Sequence, residues 1–438
     1  MSRIALGCGP IEKRRKKVLR QLRNGWEKED WQMTRILIVT GDGSTPDLDY
    51  GVFRMREEGF EVTIAAPKKK RLHVVIHQQE EGWDTYIELP WYAMDADASF
   101  DEIDPANFDG LLLPGGRAPE HIRNIDRCVE IVRHFVNSGK PIGAVCRGPL
   151  VLLEAGVRGR RLTGNSLIKP RVGIRGCTFV ESRGEAVVDG NIVTVCGRPY
   201  YHVWIREFLA MLNDLPVKAR RETPDAPRIL MIIEESTSSG HHDYAYFRML
   251  EEGYDVTVAA PVKKPLRTVV HMPHGLDGTW DTFQELPGFI IAPDAALSEI
   301  DPSKFAALVI PGGRGPEHLR VDSRCLDIVR HFIQTDKPMA FICHSPQILT
   351  EALVSLGIRG KRLTAIPHSV KADVLAADCI WVQTPREAVV DGNIVTAARR
   401  PDYDVWMRAF VSLLKARGIR AVEASHRESQ HLRRASAA

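Results

Sequence analysis

The chain has 438 residues, 59 Lys+Arg against 56 Asp+Glu, 44% apolar residues and eight cysteines, enough for two or three domains with cores of their own. Residues 1–33 carry nine Lys/Arg against four Asp/Glu, so of the net charge of +3 they supply +5 and the other 405 residues hold −2, which leaves no basic stripe for nucleic acid. No run approaches the roughly 18 apolar residues of a membrane-spanning helix, no apolar stretch makes Arg14–Lys17 a secretory leader, and the cysteines show neither CxxC nor framework spacing, so a cytoplasmic protein is expected.

Taken in chain order, residues 1–33 read as a basic extension, either disordered or upstream of a start at Met33. Ile36–Thr40 is expected as a buried strand, Tyr50–Gly59 as a helix ended by glycine, and Glu61–Ala66 as a second strand. A loop carrying His73 and His77 leads to Trp83. Asp109–Pro114 is a strand ending at Gly115-Gly116, Arg127–Ser138 a helix, Pro141–Val145 a strand and Gly148–Ala155 a helix. Val187-Val188 and Ile192–Thr194 form a hairpin about the Asp189-Gly190 turn.

The same series then returns. Arg35-Ile-Leu-Ile-Val recurs as Arg228-Ile-Leu-Met-Ile, Trp83-Asp84-Thr85 as Trp280-Asp281-Thr282, and Pro114-Gly-Gly-Arg117 as Pro311-Gly-Gly-Arg314. Glu185 through Thr194 recurs unchanged as Glu387 through Thr396. A repeat of about 195 residues is far longer than a solenoid unit, so the chain is a tandem duplication of a whole domain. The expected domains are 34–217 and 228–420, with a polar linker at 218–227 and a tail at 421–438. Strands alternating with helix-length patterns give each domain an α/β/α sandwich with a mostly parallel sheet. Ligands then bind beyond the carboxyl ends of the strands.

Cys146 and Cys343 occupy equivalent places, immediately after an apolar strand and before a helix, in Ile142-Gly-Ala-Val-Cys-Arg-Gly-Pro149 and Met339-Ala-Phe-Ile-Cys-His-Ser-Pro346. A residue on such a turn stands at the top of the sheet, where helix amides can activate a thiol and receive an oxyanion. The alternative is a buried structural cysteine. Pro114-Gly-Gly-Arg-Ala-Pro-Glu120 and Pro311-Gly-Gly-Arg-Gly-Pro-Glu317 form the second element. Gly116 and Gly313 allow close backbone approach, Arg117 and Arg314 can bind a carboxylate, and Glu120 and Glu317 can orient a base. No set of His, Cys and acidic residues has zinc spacing and no dinucleotide fingerprint is present, so neither metal nor cofactor is expected.

Together, the Pro-Gly-Gly-Arg-x-Pro-Glu loop and the Gly/Asp-Lys-Pro-strand-Cys segment resemble the ThiJ/PfpI family of the class I glutamine-amidotransferase-like superfamily, across residues 34–217 and 227–418. The resemblance implies two flavodoxin-like sandwiches, each with a cysteine on a nucleophile elbow, and the tandem form is similar to two-domain glyoxalase-type members. It implies Cys343 as nucleophile, His344 as its partner, and Glu317 or Glu120 as the carboxylate that reaches the histidine from a neighbouring domain. The implied activities are a glutathione-independent glyoxalase or deglycase acting on small carbonyls, a PfpI-type peptidase or amidohydrolase, or a non-enzymatic stress or redox protein. The two domains would form a pseudo-dimer, with further assembly into a homo-oligomer. Two departures stand out. The family glutamate after the first strand is missing, and Asp47 and His241 fall at its place. Arg147 replaces the histidine in the first copy, which makes the second copy the expected seat of catalysis.

Overall fold

Hydrophobic runs bounded by Gly, Pro and Asp punctuation form the strands. In the first copy these are β1 (Arg35–Val39), β2 (Glu61–Ala66), β3 (Val75–Gln79), β4 (Tyr86–Pro90), β5 (Ala98–Ser99), β6 (Gly110–Leu113), β7 (Ile142–Val145), β8 (Val187–Asp189) and β9 (Ile192–Val195). The main sheet has seven strands in the order β8-β9-β7-β6-β1-β2-β5. All its pairings are parallel except the β8/β9 hairpin, and Ile36 of β1 lies opposite Val62 on one side and Gly110 on the other. The helices are α1 (Asp47–Glu57), α2 (Ala118–Ile122), α3 (Asp126–Ser138), α4 (Pro149–Glu154) and α5 (Tyr201–Leu212).

The second copy repeats the plan with β10 (Arg228–Ile232), β11 (Asp255–Ala260), β12 (Leu266–Pro273), β13 (Phe283–Ile291), β14 (Ala295–Ala296), β15 (Ala307–Ile310), β16 (Met339–Ile342), β17 (Val389–Asp391) and β18 (Ile394–Ala397). Its sheet order, β14-β11-β10-β15-β16-β18-β17, is the same. Its helices include α6 (Ser239–Glu252), α7 (Gly315–Leu319), α8 (Ser323–Gln334), α9 (Pro346–Ser355) and α10 (Tyr403–Ala416), with a further helix at Pro367–Ala376. This is a pair of flavodoxin-like α/β/α sandwiches. The computed structural model describes residues 33–182, 184–215, 226–276 and 278–421. The basic extension, most of the linker and the C-terminal tail lie outside the described residues. No helix among the described residues is long and apolar enough to cross a membrane.

Two departures from the sequence expectation bear on the site. The stretch before Trp83, read as a loop, is the strand β3, which pairs antiparallel with β4 and sets His77 opposite Glu88. Its counterpart β12/β13 sets His271 opposite Glu285. The polar residues on one face hid the alternation. Second, the copies are fused more intimately than a linker implies. One apolar cluster runs from the inner face of the first sheet, through Trp204 and Phe208, across Tyr50, Phe53 and Tyr244, into the whole core of the second copy.

The seam between copies is pseudo-symmetric. Arg54 of α1 pairs with Glu251 of α6 at 2.8 Å, and Arg248 of α6 pairs with Glu57 of α1 at 2.7 Å. Tyr50 donates to Glu251 at 3.0 Å and Tyr244 to Glu57 at 2.7 Å. Outside these, Arg400 holds Asp49 at 2.6 Å and Arg198 holds Asp243. Such charges are tolerated out of water because several hydrogen bonds satisfy each one. Their arrangement fixes the angle at which one copy meets the other.

Candidate active site

Both elbow cysteines sit in the left-handed region, Cys146 at φ 58° and Cys343 at φ 64°, where a side chain crowds its own backbone. The neighbouring strand holds the bend: the amides of Cys146 and Cys343 donate to Val195 O and Ala397 O, each at 3.0 Å. Helices α4 and α9 begin three residues later, each with proline in its first turn. The sulfurs are thereby raised over the carboxyl ends of β7 and β16.

The paired glycines are required by this approach. A Cβ on Gly115 would stand 2.6 Å from the Cys146 Cβ and 3.1 Å from an Asp47 carboxylate oxygen; on Gly312 it would stand 2.5 Å from the Cys343 Cβ and 2.9 Å from His241 Nδ1. Asp47 and His241 therefore occupy matching positions beside the two cysteines. Gly116 and Gly313, both at positive φ, turn their amides toward the sulfurs and favour the thiolates. Asp47 is fully buried, accepts from Thr45 and from the Gly115 amide at 2.5 Å each, and has its pKa raised by burial. His241 is buried with neither ring nitrogen hydrogen-bonded among the described residues. Burial first, then the charges of His271, His344 and Arg400, keep its pKa well below the usual imidazole range.

At the next residue the copies diverge. In the second copy the Cys343 sulfur lies 3.2 Å from His344 Nδ1. Burial pushes the Cys343 thiol up to about 12 against the pull of the Gly313 and His344 amides. Burial, with the nearby His271 and His368, holds His344 down at about 4. The resting pair is thus a thiol facing a neutral imidazole. His271 stands behind it, its ring centroid 6.3 Å from that of His344, and its Nε2 lies 2.8 Å from Glu285, which Arg314 in turn holds at 2.7 Å.

A cavity of about 420 Å³ opens over Cys343, lined by His241, His271, Phe283, His368, Arg399 and Arg400 of the second copy and by Arg71 and Tyr92 of the first. Tyr92 reaches across the seam, its hydroxyl 3.3 Å from Ser238 Oγ and accepting from the His271 amide. In the first copy an arginine stands in place of His344. Arg147, only 4% exposed, stacks over Tyr86 at 5.5 Å, donates to its hydroxyl and pairs with Glu120 at 3.0 Å. Burial and the Asp47 charge push the Cys146 thiol up to about 11, with Arg147 opposing.

Within the chain, the expected carboxylates stand apart from His344. Glu317 stands exposed in the first turn of α7, and Glu120 is spent on Arg147 within its own copy. Neither makes a hydrogen bond or ion pair with His344 among the described residues. The carboxylate linked to the histidines is Glu285, with Glu88 its counterpart on His77 at 3.1 Å and on Arg117 at 2.7 Å. Arg117 and Arg314 accordingly brace these glutamates. The signal for Glu285 was present: Trp-Asp-Thr is followed by Tyr-Ile-Glu in one copy and Phe-Gln-Glu in the other, so the glutamate persists while its neighbours change.

The sequence pattern of the DJ-1/PfpI family matches residues 34–211 and again 227–413, and the chain belongs to that family. It is 32% identical over 338 residues to Protein DJ-1 homolog D of Arabidopsis thaliana, covering 76% of this chain and 84% of that protein. Against Deglycase PfpI of Pyrococcus furiosus it is 37% identical over 172 residues, 39% of this chain and 90% of the relative. A solved ThiJ/PfpI domain protein from Brachyspira murdochii is 21% identical, with a TM-score of 0.37 over 44% of this chain and 98% of its own.

Proposed function

We propose that the protein is a cysteine-dependent enzyme acting on small reactive carbonyl compounds, of the glyoxalase or deglycase type, with the second copy as the active one. The observation that carries this reading is Cys343 Sγ, 3.2 Å from the neutral His344, at the floor of a cavity sized for a small molecule. As the sulfur adds to an aldehyde carbon, the thiol proton passes to His344 Nδ1 and returns to the carbonyl oxygen, giving a hemithioacetal. The Gly313 amide lies on the side where negative charge develops.

For an α-oxoaldehyde the next step moves the proton on C1 to C2, giving a 2-hydroxy thioester. Water cleaves it to the hydroxy acid and restores the thiol, with no external oxidant. His241, unprotonated and free at both nitrogens, stands where the family has a carboxylate base and takes that task. Deglycase-named relatives support the carbonyl class. The test is lactate formation from methylglyoxal by the full chain. Turnover that falls by about 10³ in Cys343→Ala is expected. No Cys343-dependent lactate, with cleavage of a fluorogenic peptide in its place, would move the assignment to the hydrolase class.

A further inference from the structure

The wall of the Cys343 cavity is charged in a way the carbonyl reaction does not use. Three arginines line it, against Asp281 as the one carboxylate among the lining residues. Arg400 is already committed to Asp49, with bonds of 3.0 and 2.6 Å. Arg71 and Arg399 are exposed at the cavity and make no side-chain ion pair among the described residues; the charge of Arg399 is felt by Asp402, whose carboxylate accepts from the Arg399 amide at 3.0 Å. His368 stands near Arg399, whose charge, after burial, lowers its pKa.

The duplication supplies a built-in control. Cys196-Gly197-Arg198-Pro199 corresponds to Ala398-Arg399-Arg400-Pro401, so the seam arginine is kept while Arg399 is glycine in the first copy. His368 corresponds to Leu167, and Arg71 to Pro265. The residues that serve the seam are shared; those that make the Cys343 cavity cationic have no charged counterpart in the other copy. Arg71 comes from the first copy, so the partner domain contributes to the second copy's specificity.

We propose that this cavity selects a carbonyl compound bearing a carboxylate or phosphate, with Arg71 and Arg399 holding the anion while Cys343 faces the carbonyl. The carbonyl half rests on the proposed function; the anion half stands on the wall itself. A guanidinium fork matches either oxyanion and remains charged at every working pH. Without an anion, two like charges share a partly enclosed space, an arrangement that attracts an anionic ligand.

The experiment compares alkylation of Cys343 by iodoacetate and by iodoacetamide, located by peptide mass spectrometry in the full chain. The iodoacetate-to-iodoacetamide rate ratio is expected to exceed that of glutathione by about tenfold and to fall back to within about twofold in Arg71→Ala/Arg399→Gly. Acetate and inorganic phosphate as competitors tell which anion is held: the better protector names the group, and protection by neither overturns the proposal. A ratio equal to that of glutathione, or one unchanged in the double variant, also overturns it. The alkylation bias needs no turnover. If the bias persists and neither methylglyoxal nor hydroxypyruvaldehyde phosphate is converted to its hydroxy acid, the anion site stands and the carbonyl reading fails; if lactate forms without the bias, the carbonyl reading stands and the anion site fails.

Discussion

The two elbows are built on one frame and differ in the residue after the cysteine. Each has a cysteine in a left-handed bend, a Gly-Gly turn packed against it, and a His-Glu-Arg chain on the adjoining hairpin. In the first copy Arg147 follows the cysteine and locks onto Tyr86 and Glu120. In the second, His344 lies beside an open cavity, and Phe283, without a hydroxyl, packs tilted against His271 and His368 at 5.5 and 5.0 Å. The sheet, bend and glycines set where the sulfur stands, while the residues beside it, Arg147 and Asp47 in one copy and His344 and His241 in the other, set its surroundings.

The comparison can be broken most severely by moving the first copy's residue into the second. His344→Arg removes the proton acceptor and plugs the cavity, and kcat/KM for methylglyoxal should fall by about 10³ with the fold intact by circular dichroism. Retention of more than a tenth of the activity would deny His344 its role. The seam, by contrast, should treat the copies alike. Glu57→Gln and Glu251→Gln each leave a buried arginine short of its charge partner, so urea unfolding should show losses of about 3 kcal/mol in both. A loss confined to one variant would mean the pseudo-symmetric pairs are not equivalent.

A smaller effect is expected at the relay. Glu285→Gln weakens the hold on His271, and kcat should drop about tenfold with little change in KM. Glu88→Gln, its counterpart, should leave turnover unaffected. The pH profile sharpens the same point. His344 stays unprotonated above its value of about 4, and Cys343 stays a thiol below about 12. The competent thiol–imidazole pair is thus present across the whole interval, and kcat/KM should be level from about pH 5 to about pH 9. A tenfold rise per pH unit would show that preformed thiolate, rather than the pair, is the nucleophile.

The duplication, the strand-then-cysteine elbows and the divergence of Arg147 from His344 were legible in the sequence, because each is a local pattern repeated at an offset that drifts only from 193 to 202. The position of Asp47 and His241 was readable from their spacing to the following helix. The features that were not legible depend on pairing over distance. The β3/β4 and β12/β13 hairpins carry polar residues on the face that meets the site, so their alternation is masked and the place of Glu285 is hidden with it. Assigning Glu317 to the histidine followed an assembly in which a neighbouring domain supplies the carboxylate. Here the neighbour supplies Arg71 and Tyr92 instead, a consequence of how α1 and α6 dock.

The unequal roles of the two elbows are tested most directly by paired substitutions, Cys343→Ser and Cys146→Ser, assayed for lactate from methylglyoxal in the full chain. Loss of about 10³ in kcat/KM for the first, with the second within about twofold of the unaltered chain, is the expected result. Equal losses in both, or loss in Cys146→Ser alone, would contradict the assignment of catalysis to the second copy.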